Sequence, residues 1–235
     1  YIFNVLLGVF VLSKGIQKGL EKANRILIPS LFVLLLIIAV IALNMENGVL
    51  GLEYMFSIKW NDFSNSRIWI EALTQSAWST GAGWGLMMTI SSYSRKNEEV
   101  TLNTFISAFG NNTASLVAGM AILPAVFALA PSYDGAVEYL QSGNQALTFT
   151  IIPKLFSTFK GGTILALIFF AALFLAAFSS LLPMIELFTR NLHDLGFTRK
   201  SAMTRVVIFF IIFGFPSAYS LDFFSNQDWV WGVGL

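Results

Sequence analysis

Apolar residues dominate six stretches of the chain, 1–13, 26–43, 68–94, 100–133, 161–185 and 206–221, separated by charge, glycine, asparagine or proline. No stretch alternates with period two as a barrel strand does, so the pattern predicts six helices. A helix needs about 20 apolar residues to cross a hydrocarbon core about 30 Å thick. The first stretch is short for that and reads as a truncated span. The fourth, 34 uncharged residues from Val100 to Tyr133, is too long for one straight crossing, so part of it is expected outside lipid. Asn103, Ser107, Asn111, Asn112, Thr113 and Ser115 crowd its first half, where polar side chains face protein or water. Gly119 and Pro124 mark packing or a kink further along.

The second stretch, Ile26–Leu43, carries Pro29 in what the pattern predicts as its first turn, where a missing N–H costs little. It reads as a plain structural helix. Asn44–Arg67 reads as a loop with a short helical piece. Pro131–Lys160 is a second loop of unusual length, and loops above about 15 residues commonly serve as lids or binding loops; a surface helix pair is the other reading.

The third stretch is the unusual one. From Ala72 to Ser94 it carries no charge, yet its centre reads Ser79-Thr80-Gly81-Ala82-Gly83-Trp84-Gly85. A glycine costs about 1 kcal/mol relative to alanine inside a helix. Gly81 and Gly85 have the GxxxG spacing of a packing seam. Hydroxyls and tryptophans around three glycines fit a different device, a helix broken at the midplane whose exposed backbone holds substrate and ions. A broken helix is the expectation adopted.

Composition narrows the class. The chain has 235 residues, 56% hydrophobic and 11% charged, against about 25% charged in soluble domains; it is expected to be an integral membrane protein. Its lack of cysteine excludes disulfide, iron–sulfur and thiolate-zinc chemistry. No initiator Met and no signal peptide open the chain, so a fragment is expected. Gly81-x-Gly83-x-Gly85 has the wrong spacing for a dinucleotide fingerprint, and no Ser/His/Asp arrangement is present. No enzymatic step, organic cofactor or nucleic-acid partner is implied. His193 reads as a solvated or capping residue.

Charge placement gives sidedness. Lys14, Lys18, Lys22, Arg25, Arg95, Lys96, Arg190, Arg199, Lys200 and Arg205 fall in every second loop, ten basic residues against four (Lys59, Arg67, Lys154 and Lys160) in the others. The positive-inside rule then puts loops 14–25, 95–99 and 190–205 in the cytoplasm, in a plasma (inner) membrane.

Gln75-x-x-Trp78-Ser79-x-Gly81-x-Gly83-Trp84-Gly85, followed by Ser91-Ser92-Tyr93, resembles the sixth helix of the neurotransmitter:sodium symporters. The resemblance implies a leucine-transporter-like inverted-repeat fold, all-α, of which residues 1–235 would be one transporter domain covering the fourth to ninth helices, with the next barely begun after 229. It predicts the same sides as the charges. Gly143–Phe149 and Pro153–Phe156 resemble the family's extracellular loop that plugs the outer vestibule.

It also implies a site. Ser79 and Asn111 match ligands of the family's first sodium ion. Gln75, Ser79, Asn111 and Ser115 match its chloride site; some bacterial relatives carry an acid where this chain has Ser115. Ala176, Ser179 and Ser180 match the second sodium site. Trp78, Ser79, Gly81, Gly83, Trp84, Ser180 and Met184 match the substrate pocket, the two tryptophans standing where relatives commonly have phenylalanine. From the residues alone, Gln75 with Ser79 and Asn111 with Ser115 each share a helix face, and such side chains also serve as hydrogen bonds between membrane helices. Ser179 and Ser180 can equally bond their own helix carbonyls.

The function implied is sodium-coupled, chloride-assisted symport of an amino acid or related amine, with membrane lipid as surroundings. A proton-coupled carrier or channel of another broken-helix family, or a non-transporting membrane scaffold, is the alternative. A proton relay would need buried acids or histidine, and the charges cluster at the ends of the apolar runs.

Overall fold

The computed structural model describes residues 1–81, 83–94, 97–157 and 160–233, and these are helical with no strand among them. The predicted cytoplasmic residues Arg95 and Lys96, and Ala82 of the glycine run, lie outside the described residues. Among the described residues, four helices are long and apolar enough to cross a membrane, over Lys18–Leu43, Val100–Leu129, Gly162–Asp194 and Arg199–Tyr219. Of the six predicted spans, the first is the shorter α1 (Ile2–Ser13), and the third is divided into α4 (Ser66–Thr80) and α5 (Leu86–Ser91). Leu167 and Phe213 on the long helices are about two-thirds exposed, as suits surfaces that meet lipid.

The second helix starts earlier than its apolar pattern. Gly15, at φ +86°, redirects the chain after α1 into a π-type turn over Ile16–Glu21, which runs straight into α2 (Lys22–Leu43). Pro29 is therefore inside α2, against the expectation of a first-turn proline. There it removes the hydrogen bond to the carbonyl of residue 25 and crowds the preceding turn. The boundary was hidden because Lys22, Asn24 and Arg25 are polar, although they are wound into the helix.

The chain divides into two compact units. One comprises residues 28–60 and 103–176. Its core is Ile38, Ala39, Ala121, Val126, Phe127, Ile152, Leu155, Phe156, Leu165 and Phe169. The predicted helical piece in the first loop is α3 (Gly48–Phe56). Past the end of α6 (Val100–Leu129), Ser132 caps α7 (Tyr133–Gln141), its hydroxyl accepting the Gly135 N–H at 3.1 Å. The long loop thus consists largely of helix. After α7 come α8 (Asn144–Ala146), a π-type turn over Leu147–Ile151 and α9 (Ile152–Phe156), with Ile152, Leu155 and Phe156 buried in this core.

Within this unit α3 crosses α6 with almost no space between them. A Cβ on Gly51 would lie 2.5 Å from the backbone of Leu123 and Pro124, where no flexible side chain can yield. Gly51→Ala should therefore separate the helices and cost about 1–3 kcal/mol, as overpacking does. A fall in the melting temperature of the purified full-length protein checks this, and an unchanged value would disprove the close approach.

The other unit comprises residues 1–27, 61–102 and 177–235. Leu12, Phe178, Leu182, Ile185, Met203 and Val206 form its core, contributed by α1, α10 (Gly162–Asp194) and α11 (Arg199–Tyr219). Thr198 caps α11, accepting the Ser201 N–H at 3.4 Å. The Tyr1 hydroxyl donates to the Phe210 carbonyl, tying the start of α1 to α11. Beyond Ser220, α12 (Leu221–Asp228) runs into a third π-type turn, Trp229–Val233.

Candidate functional site: a helix break and a buried ion pair

The site begins with a conformational demand. Gly81, Gly83 and Gly85 have φ of +66°, +80° and +76°, a region costly for residues with a Cβ. Glycine at alternate positions lets the chain leave α4, turn and enter α5. Gly81 is the left-handed C-cap of α4, and its N–H reaches the Trp78 carbonyl at 3.1 Å. The Trp84 N–H bonds the Gly81 carbonyl at 3.2 Å, closing a four-residue turn, and i to i−4 bonding resumes with Thr89 N–H on the Gly85 carbonyl at 2.9 Å. The predicted break is present.

Two side chains clasp it. The rings of Trp78 and Trp84 meet edge to face, with centroids 4.9 Å apart and an interplanar angle of 86°. Such pairs contribute about 0.5–1.5 kcal/mol beyond their buried area. Thr80 donates to the Ser76 carbonyl at 2.8 Å, so its hydroxyl proton is directed back along α4.

The far side of the break packs on α10. A Cβ on Gly85 would lie 3.6 Å from Leu187 Cδ1. Met184 and Ser180 precede Leu187 by three and seven residues, so all three follow one stripe of α10. Ser179 and Ala176 are also on α10, half-buried, and Ser180 is exposed. On α6, in the other unit, Asn111 is half-buried and Ser115 exposed, its hydroxyl donating to the Asn111 carbonyl at 3.2 Å. Gln75 is exposed on α4 and Ser79 half-buried one turn later.

Immediately beyond α5 lies an ionic cluster that the sequence reading did not single out. Glu186 of α10 is 2% exposed. Arg199 grips it with both guanidinium nitrogens, Nη1 to Oε1 and Nη2 to Oε2, each at 2.8 Å. The Tyr93 hydroxyl donates to Oε1 at 2.6 Å. This two-pronged geometry is the strong form of a charged hydrogen bond. Arg199 Nη2 also points at the Leu12 carbonyl, 3.4 Å away in the last turn of α1, which also accepts the Gly15 N–H at 2.9 Å. The Arg190 guanidinium lies 5.5 Å over the Tyr93 ring. The stretch after α5, α10 and the start of α11 thus converge on one carboxylate.

Glu186 escaped notice because Arg190 stands four residues on, the spacing of an ordinary surface pair. Arg190 instead pairs with Asp194 at 3.0 Å. A signal existed: Leu182, Ile185 and Thr189 are buried along with Glu186, and their 3–4 residue spacing puts the acid on the inward stripe of α10. The chain therefore does hold a buried acid, at the end of an apolar run as read, but it is ion-paired. His193 is half exposed, with Nδ1 3.9 Å from Asp194.

Comparison with known proteins now decides the lineage. The Sodium:neurotransmitter symporter family model matches residues 2–227. The chain belongs to that family. An uncharacterized sodium-dependent transporter of Methanocaldococcus jannaschii is 28% identical over 204 residues, covering 86% of this chain and 42% of the relative. A sodium-dependent serotonin transporter of Drosophila melanogaster is 25% identical over 97% of the chain, and a sodium- and chloride-dependent glycine transporter 2 of Xenopus laevis is 23% identical over 92%. The chain spans 42%, 38% and 28% of the lengths of these three relatives. As a family member it is a multi-pass membrane protein whose broken helix coincides with the segment that carried the resemblance.

Proposed function

We propose that the protein containing this chain is a secondary active transporter that uses sodium to drive an amino acid or related small amine across the plasma (inner) membrane, with residues 1–235 forming part of one transporter domain. The observation that carries this reading is the charge-free break at Gly81–Gly85, with three successive alternate residues at positive φ. Such a break presents main-chain carbonyls to a cation and N–H groups to a carboxylate without placing a charge in lipid. Serotonin and glycine, in the names of two relatives, are small amines of the class proposed, and sodium stands in the names of all three.

On this reading Trp78, Ser79, Gly81, Gly83 and Trp84, with Ser180 and Met184, line the substrate path. Ser79 and Asn111 contribute oxygens to one sodium ion, and the Ala176 carbonyl with the Ser179 and Ser180 hydroxyls to another. Gln75, Ser79, Asn111 and Ser115 donate to chloride, since amides and hydroxyls can all donate. Loops 14–25, 95–99 and 190–205 face the cytoplasm. Nothing is made or broken covalently; the work comes from the sodium gradient.

The test is uptake of each amino acid, and of simple amines, by full-length protein in liposomes with a sodium gradient. Sodium-dependent accumulation of at least one is expected. Uptake driven equally by protons without sodium, or none at all, would overturn the reading. Replacing Ser179 and Ser180 with alanine should raise the half-saturating sodium concentration about fivefold, the equivalent of a lost contact worth about 1 kcal/mol. Unchanged sodium dependence would remove both serines from the site.

A further inference from the structure

The two indoles at the helix break make a corner. Trp78 lies in the last turn of α4, and Trp84 stands just before Gly85, the N-cap of α5. With an interplanar angle of 86° and centroids 4.9 Å apart, one ring stands edge-down on the other. A face of the upright ring and the uncovered part of the lower ring's face therefore meet at nearly a right angle. Ring faces carry the negative part of the aromatic quadrupole. A cation seated in this corner is within about 6 Å of both centroids, the range over which a ring face attracts it. Trp78 is 41% and Trp84 39% exposed, so the described side chains leave room for a ligand there.

The surroundings decide which cation suits it. No Asp or Glu occurs between Ala72 and Ser94, so no carboxylate of this span competes with the rings for a positive charge. The carbonyls beside the corner are already engaged. That of Trp78 accepts the Gly81 N–H at 3.1 Å, that of Gly81 the Trp84 N–H at 3.2 Å, and that of Ser76 the Thr80 hydroxyl at 2.8 Å, leaving one lone pair on each. A primary ammonium brings three N–H donors, each of which needs an acceptor once it leaves water. A quaternary ammonium brings none. Its charge is presented through methyl groups that pack on indole faces, which is how aromatic cages hold such cations.

Resting on the transport function proposed above, with the break as its substrate site, we propose that the corner of Trp78 and Trp84 recognises a quaternary ammonium group. The substrate is then a small, fully N-methylated zwitterion, of which N,N,N-trimethylglycine is the simplest. Its methyl groups sit against both ring faces, and its carboxylate turns to the main-chain N–H groups of the break. Such a ligand adds no net charge to a span that has none.

The experiment is isothermal titration of full-length protein in detergent with sodium chloride, comparing N,N,N-trimethylglycine, glycine and the carboxylate in which a tert-butyl group replaces the trimethylammonium. The last keeps the shape and removes the positive charge. Trimethylglycine should bind about thirtyfold more tightly than either, the equivalent of about 2 kcal/mol, as for a desolvated cation on aromatic rings. Trp84→Leu should cut its preference over the tert-butyl ligand about fivefold, and Trp84→Phe should cut it less, because phenylalanine attracts cations more weakly than tryptophan does. Should Trp84→Leu fail to fold, the ligand comparison on the wild type decides alone. Glycine or the tert-butyl ligand binding as tightly as trimethylglycine, no binding of trimethylglycine, or an unchanged preference in folded Trp84→Leu would overturn the proposal. Sodium-driven uptake of unmethylated amino acids would in that case leave the transport function standing. The full preference without sodium-driven accumulation of trimethylglycine in liposomes would instead uphold the corner as a binding site and overturn the transport function.

Discussion

Replacing Arg199 with methionine should destabilise the full-length protein by about 3–5 kcal/mol, the cost of breaking a buried pair by removing one partner. The loss is large because Glu186, at 2% exposure, would remain charged and buried with the Tyr93 hydroxyl as its remaining partner. Glu186→Gln should cost less. The stranded group is then Arg199, whose side chain is 35% exposed and can be hydrated. The pair Glu186→Met with Arg199→Leu should recover most of the loss, since apolar replacements of buried pairs are often neutral. Thermal unfolding of the purified protein, followed by loss of its monodisperse gel-filtration peak, measures all three. If Arg199→Met and Glu186→Gln were equally mild, the ion pair would have no part in holding α10, α11 and the segment after α5 together.

On the proposed function, uptake by the wild-type full-length protein should fall at least tenfold when chloride is replaced by gluconate, and Ser115→Glu should abolish that dependence. Sodium at mid-membrane leaves positive charge in a medium where an unpaired ion costs several kcal/mol, and each 1.4 kcal/mol is tenfold in binding. No Asp or Glu occurs between Ala72 and Ser94 or between Val100 and Tyr133. The compensating anion on this reading is chloride. Ser115 can serve it at small cost, because its present bond to the Asn111 carbonyl is 3.2 Å, long for an O–H donor. A glutamate at 115 would supply the charge permanently. Equal uptake in gluconate and chloride by the wild type would refute the assignment.

What could be read beforehand follows physical lines. The break was legible because only glycine takes positive φ freely, and three glycines in an apolar run have few other uses. The six apolar runs were legible because lipid selects composition over many residues at once. The start of α2 was not, since a π-type turn carries polar residues into the helix ahead of the apolar pattern. The helices between Pro131 and Lys160 were only half visible: Ile152, Leu155 and Phe156 reach the core from a segment whose spacing is interrupted by a π-type turn. Glu186 was obscured by a nearby arginine that pairs elsewhere, and Arg199 reaches it only because the chain reverses between α10 and α11. Burial of a charge is decided by such three-dimensional closures, which local spacing registers weakly.

The Trp78–Trp84 contact has an optical consequence. Two indoles at 4.9 Å and nearly perpendicular couple electronically, and that coupling varies steeply with their separation and angle. Because Gly81 and Gly83, the first two glycines of the break, lie between them, any opening or closing of the turn changes both. The protein thus carries a chromophore pair at the point where substrate is proposed to bind. Its near-ultraviolet circular dichroism should shift when sodium and substrate are added, and the shift should vanish in Trp84→Phe although four tryptophans elsewhere in the chain and Trp78 are untouched.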